Sequence, residues 1–471
     1  MQTLQKEGAV VQLVCTKIVP NYYLPFSSNG SSSTAGTGFF FEKNSNRILT
    51  CAHVIQDAVA ISVHIPIHGK KTFSARVLSV CPSFDIAIVE VLDAPPIQRP
   101  LLLDSRGMED SRAGDEVTVI GFPLGQSNLK LTQGVLSGHQ RYYQMDSPIN
   151  GGNSGGPLLR RNKVIGIVNA GFDGAQDVGY AIPIERYLNI ASSMLKNVIV
   201  RIPLFWGFFH QSIPVMEGES KKGVMITEVV PHSIATEFST LSLRKGDILT
   251  RIAGYEVWEK GGVSKMWMND NMDLTDLLYS LAPGSSIPFE ILRDDTIMKG
   301  QFCIEEKEQP VRMLFLPVEK LDYMVFAGMV FLPLTLNLLM HIEYSIQIHD
   351  GLDDLSPSYD QKNKIDNGTF LQFMEAVSPK NRHKPRVVIF NVMQGSAVAA
   401  GDFFKTGELL DRCNGKKITT MNSLHGALQK PDLKGMYTFQ SNMNKTYTIS
   451  VEAVKEEHER LRSQYHITPT S

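Results

Sequence analysis

From residue 9 to about 190 the apolar positions come in short runs rather than at helical spacing. Ile86, Ile88 and Glu90 alternate with Ala87 and Val89, and Arg47 to Thr50 forms another β run. A strand turns successive side chains to opposite faces, so runs of this kind predict strands. Clusters of turn residues separate them: Ser27 to Gly38, Gly69-Lys70-Lys71 and Gly171 to Asp177. Many short strands at that spacing predict barrels or sandwiches. The period changes at Ile184, Tyr187, Leu188, Ala191 and Leu195, which predict a helix from Ile184 to Lys196 closing this region.

Farther along, Val387 to Phe390 and Cys413 to Ile418 read as strands, the second carrying an Asn414-Gly415 hairpin turn. Met324 to Met340 is uncharged and close to the shortest length that spans a bilayer. Gly328, Pro333 and Asn337 interrupt it, so a buried strand and turn is expected there and no membrane span. Glu305 to Pro310 forms a polar junction. His349 to Arg386 is rich in Asp, Ser, Asn and Lys and is expected to be a surface insertion. Glu452 to Arg462 is charged and helix-prone, and is expected to be a solvated cap.

Length and charge narrow the classes. A chain of 471 residues exceeds one core and fits about three domains of roughly 100 to 200 residues. Its hydrophobic content of 43% is that of a globular protein. A net charge of −2 and no long basic stretch argue against a nucleic-acid partner. Five cysteines, widely spaced and without a C-x-x-C pair, argue against zinc and against a disulfide framework. The N-terminus, Met1 to Glu7, has no apolar signal core. The expected location is therefore intracellular and reducing, in cytoplasm or nucleus, without a signal peptide.

The candidate chemistry lies in three strings. Ile149-Asn150-Gly151-Gly152-Asn153-Ser154-Gly155-Gly156-Pro157-Leu158 packs a serine among glycines. Glycine lets a substrate carbonyl approach the main chain closely, so the Gly152 and Ser154 N–H groups can converge on an oxyanion while Asn153 shapes the loop. Upstream stand Leu49-Thr50-Cys51-Ala52-His53-Val54 and Ser83-Phe84-Asp85-Ile86-Ala87. The roles follow from the chemistry. Ser154 attacks, His53 takes its proton and returns it to the leaving amine, and Asp85 holds the imidazole tautomer. Neither metal nor cofactor is required.

In these strings, in Thr37-Gly38-Phe39, Gly121-Phe122-Pro123, Val164-Ile165-Gly166-Ile167 and Gly179-Tyr180-Ala181-Ile182-Pro183, the chain resembles the HtrA/Deg serine proteases. Pro20 to Phe26 and Ala327 to Phe331 resemble the plant-type members, which carry two PDZ domains. The absence of a cysteine after His53, where Val54 stands, sets it apart from secreted trypsin-like enzymes and fits a reducing compartment. The resemblance implies a mainly β protein: a trypsin-like double β-barrel followed by two PDZ-like α/β domains. The implied boundaries are 1–198 for the protease domain with its aromatic N-terminal segment and 199–308 for the first PDZ domain. A second PDZ-like domain at 309–455 carries the insertion at about 349–386, and 456–471 is a charged tail. His53 and Asp85 would sit on the first barrel and Ser154 on the second, with Ile149, Val168, Asn169 and Ala170 lining a pocket for a small or medium apolar side chain. Phe205, Trp206, Gly207 and Phe208 look like a PDZ loop and strand that would take C-terminal peptides. Tyr22, Tyr23 and Phe26 would form contacts of a homotrimer or a multiple of trimers.

One departure stands out. Only Gly138 to Tyr143 separate two strands where relatives have a much longer regulatory loop. The expected function is ATP-independent hydrolysis of unfolded or tagged proteins. The alternative is a catalytically silent PDZ scaffold or chaperone, or a structural component retaining the protease fold.

Overall fold

The alternating segments become strands β1 (Val10–Pro20), β2 (Ser28–Phe40), β3 (Arg47–Cys51), β4 (Ala58–His64), β5 (Thr72–Cys81) and β6 (Ile86–Val91) in the computed structural model. They close into a barrel in the order β1-β2-β3-β6-β5-β4. Residues 8–467 are described, except 140, 148, 172–177, 204, 214–221, 259–260, 265–270, 306–307 and 343–366. Pairing Leu49 with Ile88 and Thr50 with Ala87 fixes the β3–β6 register. Ile86 to Val89 are all fully buried, so a one-residue slip would disturb both faces of β6. The Ser27 to Gly38 segment is not a turn cluster. Its Ser/Thr/Gly composition hides strand β2, whose barrel partners outweigh weak local propensity.

A second closed barrel follows: β7 (Glu116–Gly121), β8 (Lys130–His139), β9 (Tyr143–Met145), β10 (Pro157–Arg160), β11 (Lys163–Gly171) and β12 (Gly179–Pro183), in the order β10-β11-β12-β9-β8-β7. Val117, Leu136, Tyr143, Leu158, Ile165 and Val168 belong to its core. Helix α1 (Ala52–Ile55) is the one turn that carries His53, and α2 (Ile184–Met194) ends this region as its periodicity predicts. The loop expected at Gly171 to Asp177 lies, from residue 172, outside the described residues.

The next sheet has its own core. Strands β13 (Phe208–Ser212), β14 (Val224–Val229), β15 (Ile248–Ile252), β16 (Ser286–Arg293) and β17 (Thr296–Cys303) lie in sequential order, with Tyr255–Glu256 added on β15. Phe289 and Phe302 stack at 4.1 Å between ring centroids inside it. Asp247, 2% exposed, accepts two 2.7 Å bonds from Arg293 and another from Arg244 N. A bidentate Arg–carboxylate pair of this kind satisfies a charge that burial would otherwise make costly. Helix α3 (Leu274–Tyr279) is capped by Asp273, which accepts from Thr275 N at 2.6 Å.

The chain divides into two compact units, residues 1–17 with 32–307 and residues 18–31 with 308–471. The second unit holds a sheet of β18 (Met324–Phe326), β19 (Met329–Pro333), β20 (Val387–Val392), β21 (Glu408–Cys413), β22 (Met436–Ser441) and β23 (Thr446–Ser450), with Lys416–Lys417 added on β21. The uncharged stretch from Met324 is thus strand, turn and strand, followed by helix over 336–342. No described helix is long and apolar enough to cross a membrane.

Three expectations need correction here. The aromatic segment does not stay with the first barrel: Tyr22, 7% exposed, packs in the second unit's core with Phe390, and Tyr23 lies 5.1 Å from the same ring. Phe26 packs against Val330, Met393 and Leu461 of that unit. Sequence alone does not reveal which apolar surface an aromatic ring covers. Second, the polar insertion is only partly so. Residues 343–366 lie outside the described residues, but 367 onward forms helix α4 (Asn367–Val377), whose Phe373 is fully buried. Third, no boundary falls at 455/456. Helix α6 (Val451–Tyr465) is continuous and buries Val454, Glu457 and Leu461. Its many charges concealed that buried stripe, and Glu457 accepts from Ala397 N at 2.5 Å. Helix α5 (Met421–Leu428) completes the unit.

Candidate active site

His53 and Asp85 come together at one end of the first barrel. Cys51 ends β3, α1 begins at Ala52, and Ala52 N donates to the Asp85 carbonyl at 3.1 Å. Asp85 sits just before β6 with φ of 56°, a left-handed conformation that non-glycine residues seldom adopt. Such strain is sustained at sites where the surroundings dictate the backbone. Here its carboxylate holds both ends of the histidine: Oδ1 accepts from His53 N at 2.8 Å and Oδ2 lies 2.7 Å from Nδ1. A carboxylate can only accept, so Nδ1 carries a proton and Nε2 is left to act as base.

Ser154 lies between β9 and β10, in the turn before Pro157. Its Oγ donates to the Asn169 carbonyl of β11 at 2.6 Å. Among the described residues no hydrogen bond joins it to His53. A rotation about χ1 is the movement needed to re-aim the hydroxyl, and catalytic contacts often tighten only when substrate binds.

The backbone around Ser154 is held from two sides. Leu124 N donates to the Gly151 carbonyl at 2.6 Å, and a trans peptide then directs the Gly152 N–H the opposite way. Thr37, fully buried, donates its Oγ1 to the Gly152 carbonyl at 2.6 Å, while its N–H donates to the Ser154 carbonyl at 2.9 Å. The same Oγ1 accepts from Phe122 N at 3.1 Å. Gly152 has φ of 98°, and a Cβ there would lie 2.3 Å from the Phe122 carbonyl, so the position admits only glycine. Asn153 N donates to Asn150 O, which removes it as an oxyanion donor. Among the described residues neither Gly152 N nor Ser154 N donates a hydrogen bond. Two adjacent unspent donors beside a serine are what a developing oxyanion requires.

Farther back, Gln12 of β1 donates to the Gly125 and Gln126 carbonyls at 3.1 and 3.2 Å, anchoring the loop that carries Leu124. Leu124 has φ of 56° and is 73% exposed. Cys51 donates to the Val168 carbonyl at 3.3 Å. Cys51, His53 and Asp85 bring their donor atoms within 4.8 Å of one another. Burial, then the Asp85 charge, raises the Cys51 thiol well above its ordinary range. A thiol that keeps its proton is a neutral neighbour for Asp85.

Of the expected pocket residues, Ile149 packs on the second barrel's core and would contact a Cβ at Gly179. Val168 is fully buried and gives its carbonyl to Gly155 N, while Asn169 takes the Ser154 hydroxyl. Ala170 continues the backbone of β11. The expected peptide-binding side chains are placed differently. Trp206 and Phe208 are 4% and 3% exposed and point into the core, with Trp206 Nε1 donating to Leu274 O at 2.8 Å. Gly207 is left-handed at φ 95°, and Phe205 packs on Phe209. Among the described residues β13 is an edge strand, pairing only with β14.

Nothing local in the sequence marks Gln12, Thr37 or Leu124 for a role at the site. Thr37 stood inside a matched string, but its bond to Gly152 spans 115 residues and leaves no local signal.

Residues 36–167 match the family model of the trypsin-like peptidase domain, and residues 317–471 that of the PDZ domain. The chain is 26% identical to "Putative protease Do-like 3, mitochondrial" of Arabidopsis thaliana, over 70% of this chain and 60% of that protein. It is also 26% identical to "Serine protease Do-like HtrA" of Bacillus subtilis, over 60% of this chain and 66% of that one. The chain thus spans less than two thirds of either relative. A solved structure, the HtrA-type protease AlgW with decapeptide, is 22% identical, with a TM-score of 0.49, covering 65% of this chain and 98% of its own.

Proposed function

Because the chain belongs to the Deg/HtrA family, we propose that it is an ATP-independent serine endopeptidase acting on unfolded or tagged proteins. The observation that carries this reading is the pairing of an Asp85-bound imidazole with a serine loop whose two neighbouring N–H donors are unspent.

The reaction follows from those groups. Ser154 Oγ leaves the Asn169 carbonyl, passes its proton to His53 Nε2 and attacks the scissile carbonyl. Asp85 keeps the proton on Nδ1 and stabilises the imidazolium that results. Gly152 N–H and Ser154 N–H take the oxyanion, and a donor of this kind contributes on the order of 100- to 1,000-fold in rate. His53 then protonates the leaving amine, and water repeats the sequence on the acyl-enzyme. Ile149, Val168, Asn169 and Ala170 border the side chain before the scissile bond.

The edge of β13, unpaired among the described residues, supports the capture of C-terminal peptides by strand addition, with the main chain rather than Trp206 or Phe208 making contact. Assembly into trimers rests on the family alone, since Tyr22, Tyr23 and Phe26 are engaged within their own chain. A monomer in sedimentation at micromolar concentration would refute it. The proposed location is a reducing intracellular compartment, and relatives named mitochondrial add that organelle to cytoplasm and nucleus.

One observation favours the alternative, a silent scaffold: the Ser154 hydroxyl rests on Asn169 and not on His53. A fluorophosphonate probe separates the two. Labelling lost in Ser154→Ala is expected of a protease; no labelling of the wild type, with or without C-terminal peptides, would leave the scaffold.

A further inference from the structure

A groove of about 600 Å³ lies in the second unit, well away in sequence from the catalytic strings. That volume falls within the usual range for ligand sites. One wall is Tyr323 with strand β18, which among the described residues pairs only with β19, so that its outer edge presents main chain to a further strand. The opposite wall is α5, through Leu428 and His425.

The C-terminal helix changes the chemistry of the groove. His458 and Arg462 of α6, four residues apart and so on one face, also line the groove. No Asp or Glu is among the lining residues. Arg460, on the same helix, is tied down: its Nη2 donates to the Gly395 carbonyl at 2.6 Å and lies 3.9 Å from Glu457. Arg462 makes no ion pair or side-chain hydrogen bond among the described residues, and it is only half-buried. A guanidinium without a counter-charge, at the rim of an apolar slot beside that strand edge, suits a carboxylate on an incoming peptide.

We propose that this groove binds C-terminal peptides carrying acidic side chains near their end, with Arg462 as the selecting residue and His458 beside it. The peptide adds to β18, its apolar side chains lie against Leu428, and its Glu or Asp side chains face α6. The inference goes beyond the proteolytic reading and does not depend on it, because it concerns binding alone.

The test uses full-length Ser154→Ala protein and two fluorescein-labelled octapeptides ending in valine. They differ only in having Glu or Gln at the two residues before it. Fluorescence anisotropy at fixed ionic strength is expected to show the Glu peptide binding about tenfold or more tightly, the scale of a charge-assisted bond. Arg462→Ala should bring the two peptides to within about threefold, Arg462→Lys should restore part of the preference, and Arg462→Glu should reverse it. Unchanged thermal unfolding of the variants excludes a folding defect. Equal affinities in the parent protein, a preference that survives Arg462→Ala, or no binding of either peptide would each overturn the proposal. The last outcome would mean that the groove is already closed by the chain or by another copy.

Discussion

Thr37 is the residue on which the site's geometry turns. One buried hydroxyl and one N–H fix three points: Gly152 O, Ser154 O and Phe122 N. Thr37→Val keeps the shape and removes the hydroxyl, leaving the Gly152 carbonyl and the Phe122 N–H without a partner in a dry environment. Each such loss costs about 1–3 kcal/mol, so the loop should relax and turn the Gly152 peptide. The expected result is a fall of about 10- to 100-fold in kcat with a smaller change in KM, the signature of an interaction made mainly in the transition state. Unchanged kcat would contradict the role given to Thr37. His53, Asp85 and Ser154 were legible as sequence because each sits in a string whose small residues serve its own backbone. Thr37 and Gln12 were not, since they reach carbonyls 115 and 113 residues away.

Among the elements, periodicity located those whose local pattern and tertiary role agree. Helix α2 is an example in its extent; of the positions that predicted it Ile184 and Tyr187 are buried, while Leu188 and Leu195 are exposed and Ile190 takes the buried side instead. It failed where composition and role diverge: β2 reads as a turn cluster, and α6 reads as a solvated cap while burying Val454 and Leu461. Helix α2 also carries a test of electrostatics. Glu185 is half-buried and accepts from Met108 N at 2.7 Å, and its partial burial raises its carboxyl above the ordinary value. A carboxyl raised on folding adds stability that is complete below its unfolded pKa and is lost as pH rises through the folded one. Glu185→Gln retains an acceptor and removes that loss. Relative to the variant, wild type should therefore become progressively less stable as pH rises from about 4, the ordinary glutamate value, toward neutrality. A stability difference that stays flat across that range would refute this account of the carboxyl.

On the scale of the molecule, the chain does not change unit only once. Residues 18–31, between β1 and most of β2, belong with 308–471. The expected boundaries, which end the protease domain near 198 and treat the N-terminal segment as part of it, followed chain order, and apolar patterning alone cannot tell which core an aromatic residue enters. One consequence is measurable. A fragment ending at Lys307 keeps both barrels but strips Tyr22 and Tyr23 of Phe390 and the surrounding core. It should bind a hydrophobic dye more strongly than the full chain, and Tyr22→Ser with Tyr23→Ser should remove most of the excess. Dye binding equal to that of the full chain would contradict the placement of this segment.

The proteolytic reading depends on whether Ser154 is a working nucleophile. The direct measurement is cleavage of an unfolded protein at neutral pH by wild type and Ser154→Ala side by side, with and without added C-terminal peptides. Cleavage by wild type alone is the predicted result. Equal cleavage by both, or none by either under any condition, would contradict it.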